Sequence, residues 1–303
     1  MTQLLIATFN YQAGGYHDGV FTMQPLQRAF ADLDTPPALI LLCEAKYYRR
    51  DQYRGLRLAE QALSRQLGVA YFGLLGTLSR GPIPPAIFYN ADLLGKVHWP
   101  GDEDPDVFDD QRNFGRFLVN ATGAEFGAWV AHFDPYHGCT RLREAKLLGR
   151  HGTSDLPVIG GGDLNCTASG PHFPQRDWQH ANHDIRQHKG IQIGDTGSTG
   201  RGWQANTAPL DYLIGAWDPA GRCRSGGAGY HALAELAWLA DPTTILQPSI
   251  VDKPGEGGPD LIDYLLVNEA MRPYVIPGSY RVHVPAESPA PSDHHVVIGA
   301  IDL

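Results

Sequence analysis

Polar side chains stand at the ends of apolar runs at four places in the sequence, and these residues could perform chemistry. Asn10 and Glu44 each follow such a run, Gly-Asp-Leu-Asn occupies 162–165 after another, and Ser-Asp-His at 292–294 precedes the last. A charged or amide side chain at a strand end projects into a crevice while the core holds the strand rigid. Each signal is weak alone, since an aspartate after glycines is also a common turn residue. Together they indicate a polar site assembled at strand ends.

The acidic residues at these places suit a hard divalent cation. Carboxylate oxygens are ligands that Mg²⁺ and Mn²⁺ prefer in proteins. The four cysteines, Cys43, Cys139, Cys166 and Cys223, lack the close pairing of a zinc site and the density of a disulfide scaffold. We therefore expect Mg²⁺ or Mn²⁺ rather than zinc, and we interpret the cysteines as reduced thiols.

The elements that would hold these residues alternate between strands and helices. Short apolar runs predict buried strands, and the spacing of Leu56, Ala59, Leu63 and Leu67 predicts a helix that ends before Gly68. The expected strands lie at 4–9, 38–43, 69–75, 86–89, 117–121, 128–133, 261–267 and 295–301, and further helices at 141–150 and 231–239. Mixed strands and helices indicate an α/β layered domain.

Length and composition favour one globular domain. The 303 residues can form a large core without disulfide or metal cross-links, and the 35 glycines and 23 prolines indicate many ordered loops. We expect a single domain over 1–303, with a loop-rich insertion possible at 167–259. Neither a signal sequence nor an apolar run of membrane-span length is evident, so we expect a cytoplasmic location, and no obligate protein partner is indicated.

The charge balance limits where a phosphate-bearing partner could bind. The chain has 24 lysines and arginines against 33 aspartates and glutamates, a formal net charge of −9. Proteins that coat nucleic acid without specificity need a broad basic surface. Part of the acidic excess lies in 101–110, which we expect to be a surface loop, whereas bases are concentrated at 46–57. Any phosphate contact must therefore be local.

The segment 45–57 begins directly after Glu44 and contains five bases, one acid and three tyrosines. Arginines can hold phosphates, while tyrosines stack on bases or pack against sugars. The expected substrate-binding group consists of Lys46, Tyr47, Arg49 and Arg50. A solvated helix start with its tyrosines partly in the core fits the same pattern equally well.

The order of Asn10, Glu44, 162–165, 261–265 and 292–294 resembles the endonuclease/exonuclease/phosphatase superfamily, whose members share the DNase-like fold. Two further segments match, since 86–90 is similar to the family's central strand and 130–133 to its histidine-bearing strand. The resemblance spans almost the whole chain. It implies a four-layer α/β sandwich of two packed mixed β-sheets flanked by helices, with a divalent-metal phosphoesterase site along one edge.

The resemblance also implies roles for the metal-binding residues. Glu44 would be the principal metal ligand, with Asn10 beside it and Asp293 as a contributor. Gln12 stands near a place where several nuclease branches of the family carry an acid, so this chain departs from their pattern there. We therefore expect chemistry with a single metal ion, which would offset charge on a phosphoryl oxygen.

The remaining site residues are the catalytic candidates. Asp163 would orient or deprotonate the attacking water, and Asn165 would hold that water or a phosphate oxygen. His294 would hydrogen-bond the scissile phosphate with its ring oriented by Asp263, because a carboxylate partner fixes the tautomer and favours the imidazolium. His132 would be a second histidine facing the phosphate.

One segment imitates part of this set. Pro-Leu-Asp-Tyr-Leu at 209–213 resembles the segment around Asp263. We prefer Asp263 to Asp211, because Asp263 lies shortly before the terminal Ser-Asp-His and begins a cleaner strand.

The leading functional hypothesis is divalent-metal-dependent hydrolysis of phosphodiester bonds by an endonuclease or exonuclease, with nucleic acid as the substrate. The alternative is a phosphatase or phosphodiesterase acting on a small molecule or a lipid headgroup. The inositol-phosphate branch fits poorly, since its Trp-Cys-Asp-Arg segment is replaced by Leu-Ile-Asp-Tyr at 261–264. A noncatalytic binding module is the hypothesis from another class, and metal binding would distinguish it.

Overall fold

The computed structural model describes residues 2–77, 83–100, 108–195, 201–286 and 289–303. Most of the acidic segment expected to be a surface loop, namely 101–107, lies outside the described residues. The strands are β1 Gln3–Asn10, β2 Tyr16–His17, β3 Val20–Phe21, β4 Leu39–Cys43, β5 Tyr71–Leu75, β6 Ala86–Asn90, β7 Leu94–His98, β8 Phe114–Val119, β9 Glu125–Val130, β10 Val158–Asp163, β11 Gly190–Asp195, β12 Arg201–Ala205, β13 Ala216–Asp218, β14 Cys223–Ser225, β15 Tyr230–Ala232, β16 Asp263–Asn268, β17 Arg281–His283 and β18 Val296–Asp302.

The helices follow the predicted pattern closely at several places. They are α1 Gln24–Ala29, α2 Arg50–Leu67, α3 Gly138–Gly152, α4 His183–Lys189, α5 Ala208–Ile214 and α6 Leu233–Ala240. Gly68 ends α2 in a left-handed conformation, with its N–H donating to the Ser64 carbonyl, as expected of a glycine cap. The first turn of α2 is irregular, because 51–53 also adopt left-handed angles.

Twelve strands of the described residues form two six-stranded mixed sheets, and the other six form three two-stranded pairs, β2–β3, β11–β12 and β13–β14. The first has the order β17-β18-β1-β4-β6-β5 and the second the order β15-β16-β10-β9-β8-β7. Each sheet contains one parallel pair, β1 with β4 in the first and β9 with β10 in the second, and its other neighbours are antiparallel. The parallel pairs occupy the middle of both sheets. The carboxyl ends of both pairs lie at the same edge of the sandwich.

Both faces of the central strands are buried, which explains why the sequences of these strands are continuous apolar runs. In β1, Leu4 and Ile6 contribute to the core between the sheets, whereas Ala7 and Phe9 belong to the cluster under α1 and α2. A third cluster lies on the outer face of the second sheet, where Trp129 packs with residues of α3 and α5. The layers are therefore helix, sheet, sheet and helix, and the predicted four-layer α/β sandwich is confirmed.

The segment 167–259 is more regular than its sequence suggests. It contains α4, α5 and α6 together with the hairpins β11–β12 and β13–β14. β15 pairs with β16, so this segment supplies a strand of the second sheet. The segment 209–213, which imitates the strand around Asp263, is helical within α5.

In the part of the chain that the structure describes, no helix combines the length and the apolar character needed to cross a bilayer.

Gly162 lets β10 approach its neighbour immediately before Asp163. Its φ is +144°, and a Cβ atom there would lie 1.8 Å from the Ala131 carbonyl oxygen. No side chain fits at that separation, so any larger residue must displace the backbone that carries Asp163.

We expect Gly162→Ala to lower the free energy of unfolding by about 3 kcal/mol, because overpacking adds to the positive φ. Urea denaturation followed by circular dichroism measures this. Gly95→Ala is the matched control in the same sheet, since a Cβ there would make only ordinary contacts, starting at 3.4 Å from Asn120 Oδ1. Equal losses in the two variants would contradict the argument.

Candidate active site

The candidate residues come together where the strands of the two sheets end. Asn10 is the last residue of β1, and Glu44 follows β4, the parallel neighbour of β1. Asp163 ends β10, and Asp263 begins the antiparallel β16 directly opposite it. β1 and β4 of the first sheet pack against β10 of the second, so these ends meet across the sandwich.

His294 lies between the two aspartates. Its Nδ1 is 2.7 Å from Asp263 Oδ2, and its Nε2 is 3.8 Å from Asp163 Oδ2. Asp263 is completely buried, and Asp163 and His294 are nearly so. Like charges directly opposite each other in a sheet destabilise it. A protonated imidazole between the carboxylates offsets this repulsion.

The pKa values reflect the same arrangement. Burial by itself lowers the pKa of an imidazole, but Asp263 and Asp163 outweigh it and raise the pKa of His294 to about 10. Complete burial raises the pKa of Asp263 to about 6 against the pull of His294. At neutral pH the group therefore consists of two carboxylates and one imidazolium.

Ser249 completes the support of Asp263. Its hydroxyl donates to Asp263 Oδ2 at 2.7 Å and accepts from the backbone N–H groups of Ile262 and Asp263 at 3.0 Å. The backbone carbonyl of Ser249 accepts from the His295 N–H at 2.7 Å, which fixes the chain that carries His294. The sequence contains no signal for this serine, because nothing near 249 indicates a site.

Asp163 is the centre of a second set of contacts. Its Oδ2 accepts from Asn10 Nδ2 at 2.9 Å and lies 3.5 Å from His132 Nε2, while its Oδ1 accepts from the Asn165 N–H at 2.9 Å. Burial would raise the pKa of Asp163, but the positive groups, above all His294, outweigh it and hold the pKa below its ordinary value. The carboxylate is therefore ionised and can accept a hydrogen bond from water.

Cys43 connects the two sheets beneath Asp163. Its thiol donates to the Ala131 carbonyl at 3.4 Å, and its sulfur accepts from the Asp163 N–H at 3.3 Å. Burial raises the pKa of this thiol well above its usual value, so it stays protonated.

Asn10 and Glu44 provide oxygen atoms suited to a hard cation. Asn10 Nδ2 donates to both Glu44 Oε1 at 3.3 Å and Asp163 Oδ2, so its amide orientation is fixed. Among the described residues, its Oδ1 is then buried without a hydrogen-bond partner. Glu44 Oε2 accepts from the Ala13 N–H at 2.7 Å and leaves further lone pairs. These residues fit Mg²⁺ or Mn²⁺, and an orphaned buried oxygen is the observation that supports this.

The cluster of Asp163, Asp263 and His294 also has ligand atoms close together, within 4.8 Å of one another. With His294 protonated, this cluster offers only its two carboxylates as ligands, because an imidazolium has no lone pair to offer a metal.

Asp293 lies beside this region but has another partner. Its Oδ2 is 2.7 Å from Lys253 Nζ, and its Oδ1 accepts from the Ser292 hydroxyl at 3.3 Å. Ser292 Oγ also lies 2.8 Å from the Asn10 carbonyl oxygen, which ties the Ser-Asp-His segment to the end of β1. A metal-binding role for Asp293 stays a prediction, and it would compete with the lysine.

Lys189 is, like Ser249, a residue of the site that sequence reasoning missed. It ends α4, and its ammonium group donates to Asn165 Oδ1. Asn165 Nδ2 donates to the Phe133 carbonyl at 2.9 Å, so both ends of this amide are held. Burial lowers the pKa of Lys189 to about 8, although Asp163 acts in the opposite direction. A lone lysine in a weakly patterned segment gives no sequence signal.

Three members of the predicted substrate-binding group, Lys46, Tyr47 and Arg50, form a cluster next to Glu44, whereas a substrate-binding role for Arg49 stays a prediction. The Arg50 guanidinium lies 3.4 Å from the centroid of the Tyr47 ring, and Lys46 Nζ lies 5.5 Å from it. Tyr16 packs against the edge of the same ring at 4.8 Å. The cluster is fixed to the site by the Lys46 N–H, which donates to the Glu44 carbonyl at 2.6 Å.

Asp211 belongs to a different network. Its Oδ1 accepts from the Ser169 hydroxyl at 2.7 Å and its Oδ2 from the Thr207 hydroxyl at 2.6 Å, with Arg224 close by. The structure therefore brings Asp263, and not its imitation, to His294.

Comparison with known proteins identifies the fold. No protein-family model matches the chain, and no curated protein matches it in sequence. Among solved structures, an endonuclease/exonuclease/phosphatase protein from Bacteroides vulgatus is similar over 100% of both chains, with 16% identity and a TM-score of 0.57. TDP2 from D. rerio, crystallised with a single-strand DNA product, also aligns over 100% of both chains, with 13% identity and a TM-score of 0.55.

A third similar structure is a mannosyl-6-phosphatase from Bacteroides thetaiotaomicron, which aligns over 99% of this chain and 100% of its own, with 16% identity and a TM-score of 0.52. Likeness at these identities establishes the fold. The predicted resemblance to endonuclease/exonuclease/phosphatase proteins and the DNase-like α/β sandwich are both confirmed at that level.

We expect the imidazolium of His294 to depend on Asp263. In protein treated with EDTA, NMR titration should place the His294 midpoint near pH 10, and Asp263→Asn should lower it by about two pH units because one opposite charge is lost. An unchanged midpoint in Asp263→Asn would contradict the assignment.

The protonation of His294 also predicts how the stability of the protein depends on pH. Folding raises the pKa of His294 from about 6.5 to about 10, so protonation of His294 stabilises the folded protein. This stabilisation is complete below about pH 6.5 and is lost as the pH rises through about 10. The free energy of unfolding should therefore fall more steeply between pH 7 and 10 in the parent than in His294→Gln, with a limit of ~1.4 kcal/mol per pH unit.

Proposed function

We propose that this protein hydrolyses phosphodiester bonds of nucleic acid with the help of a divalent cation. The observation that carries this proposal is the ionised Asp163 surrounded by Asn10, His132 and His294 at the joint edge of the two sheets. One carboxylate among neutral and positive donors suits the activation of a water beside a phosphate. The expected cytoplasmic location is compatible with such a substrate.

Asp163 would orient the attacking water and accept its proton. As the water oxygen bonds to phosphorus, the bond to the leaving oxygen breaks in line with it, and negative charge grows on the phosphoryl oxygens. The ionised state of Asp163 favours this role, and its two oxygens are fixed by Asn10 and by the Asn165 N–H. Fixed geometry removes much of the entropic cost of bringing water and phosphate together.

His294 and His132 would stabilise the charge that develops on the phosphate. His294 is held as an imidazolium by Asp263, so its Nε2–H is available on the side of Asp163. His132 Nε2 faces the same oxygen of Asp163. Donors that are in place before reaction stabilise the transition state without reorganising.

The cation would be held by Asn10 and Glu44, where it would offset negative charge on a phosphoryl oxygen. Asn10 Oδ1 has no hydrogen-bond partner in the described part of the chain, and the Glu44 carboxylate is positioned by the Ala13 N–H. The cluster of Lys46, Tyr47 and Arg50 lies next to Glu44 and supports contacts with further phosphates and bases of the substrate.

A substrate panel tests this function. Plasmid, linear duplex, single-stranded DNA, RNA and a phosphomonoester are offered with Mg²⁺, with Mn²⁺ and with EDTA. We expect cation-dependent cleavage of a nucleic acid, and Asp163→Asn should reduce kcat by about 10²–10⁴-fold, the usual contribution of an acid–base group. Glu44→Gln should raise the cation concentration needed for half-maximal rate.

Asp211→Asn is the matched control. Asp211 stands in a similar sequence segment but lies in α5, so this variant should keep a rate close to that of the parent. Cleavage of the phosphomonoester alone would favour the small-molecule phosphatase. The proposal is wrong if no phosphodiester is cleaved with either cation, or if Asp163→Asn is as fast as the parent. Calorimetric titration with Mn²⁺ tests the noncatalytic binding module. Absence of Mn²⁺ binding, or binding that is unchanged in Glu44→Gln, would favour that module.

Lys189 predicts how the rate depends on pH. The parent should lose activity as pH rises through about 8, because the ammonium that holds Asn165 loses its proton. Lys189→Arg keeps the charge, so this decline should disappear, while Lys189→Met should be slow at every pH. The exposed Lys146 provides the control variant Lys146→Met. An identical decline near pH 8 in Lys189→Arg would show that Lys189 is not its origin.

A further inference from the structure

A cavity of about 590 Å³ opens next to His132 and is not used by the mechanism above. Its walls come from the loop after β9, from the residues before β6 and β8, and from the outer face of α3. The volume lies within the range of small-molecule binding sites, about 300–1,000 Å³. A group bound here would adjoin the phosphate that His132 faces.

The loop that forms one wall, 134–137, is held rigidly. Asp134 Oδ1 accepts from the N–H groups of Tyr136 and His137, each at 2.8 Å, and the Asp134 N–H donates to Glu144 Oε2 at 2.8 Å. The Asp134 carbonyl accepts from Arg141 Nη1 at 2.9 Å, and Arg141 is completely buried. Such a set of charged contacts fixes the loop before any ligand binds.

Tyr136 is displayed on this rigid loop. Its side chain lines the cavity and is 58% exposed, which is unusual for a large aromatic residue on a well-anchored segment. The His188 ring packs edge-on against it, with centroids 5.1 Å apart. Arg141 Nη2 donates to the His188 carbonyl at 2.6 Å, so the residue behind Tyr136 is anchored too.

Among the described residues that line the cavity, one cation is available to a ligand. Glu144 and Asp134 accept backbone N–H groups, and Arg112 pairs with Asp109 at 3.1 Å. Arg143 lines the same wall and is exposed, and within the described ranges no carboxylate pairs with it. An aromatic ring and a guanidinium that line the same cavity suit a base and its neighbouring phosphate.

We propose that this cavity binds the nucleoside next to the scissile phosphate, with its base stacked on Tyr136 and the adjoining phosphate paired with Arg143. This inference rests on the proposed function and specifies its substrate as a phosphodiester that carries a base at that position. The base is favoured over a bare sugar because stacking requires a flat ring against the exposed tyrosine.

Matched oligonucleotides test the inference by kinetics. Two single strands of identical length differ only in whether a base or an abasic tetrahydrofuran residue stands next to the cleaved bond. Tyr136→Ala should lower kcat/KM about 10-fold for the strand with the base and leave the abasic strand within about twofold. Tyr136→Trp should restore the rate, and Tyr274→Ala, which removes another exposed tyrosine, is the control.

A binding measurement makes the outcome independent of catalysis. Fluorescent etheno-AMP is titrated into EDTA-treated parent, Tyr136→Ala and Arg143→Gln, with ribose 5-phosphate as competitor. We expect saturable quenching in the parent, about 10-fold weaker binding in each variant, and no competition by ribose 5-phosphate at equal concentration.

The outcomes separate the two proposals. Binding to Tyr136 without cleavage of any phosphodiester retains the cavity as a nucleotide site and overturns the proposed function. Cleavage at equal rates with and without the base, or unchanged binding in Tyr136→Ala, overturns the cavity inference alone. Equal competition by ribose 5-phosphate also overturns it, since the cavity would then recognise a sugar phosphate.

Discussion

This site depends on one constraint, which is that two buried carboxylates face each other. The register of β10 and β16 places Asp163 directly opposite Asp263, and both side chains are buried. Their repulsion in a low-dielectric interior must be offset by a cation or by protonation. His294 supplies that cation, because the two aspartates raise the pKa of its imidazole to about 10. One electrostatic requirement thus balances the two buried carboxylates and places a positive charge at the strand ends.

The surrounding fold satisfies the demands that this arrangement makes. Gly162 allows β10 to approach its neighbour, so that Asp163 reaches the shared edge of the sheets. The Cys43 thiol links the Asp163 N–H to the Ala131 carbonyl, and the Ser249 hydroxyl holds Asp263. None of these groups has acid–base chemistry of its own at neutral pH. They hold the two carboxylates in the positions where hydrogen bonds to charged groups can form.

The segment 167–259 extends the site beyond the strand ends. α4 brings Lys189 to Asn165, and Arg141 joins the end of that helix to the loop that carries Tyr136. Arg141 is completely buried and donates from both terminal nitrogens, to the Asp134 and His188 carbonyls, so it restrains the loop relative to the helix. The positive charge beside Asn165 and the exposed ring beside the cavity are consequently positioned by one residue of α3.

The sequence by itself determined the layered fold and the polar strand ends, because apolar runs report burial along the chain and are short-range properties. Asn10, Glu44 and Asp163 could be predicted for that reason, since each stands where such a run ends. The position of Asp263 shortly before Ser-Asp-His already favoured it over Asp211, and the structure places it against His294. Only the tertiary structure decided that Lys189 and Ser249 enter the site. Strand register and the packing of one sheet on another bring these distant residues together, and no local pattern of sequence encodes those distances.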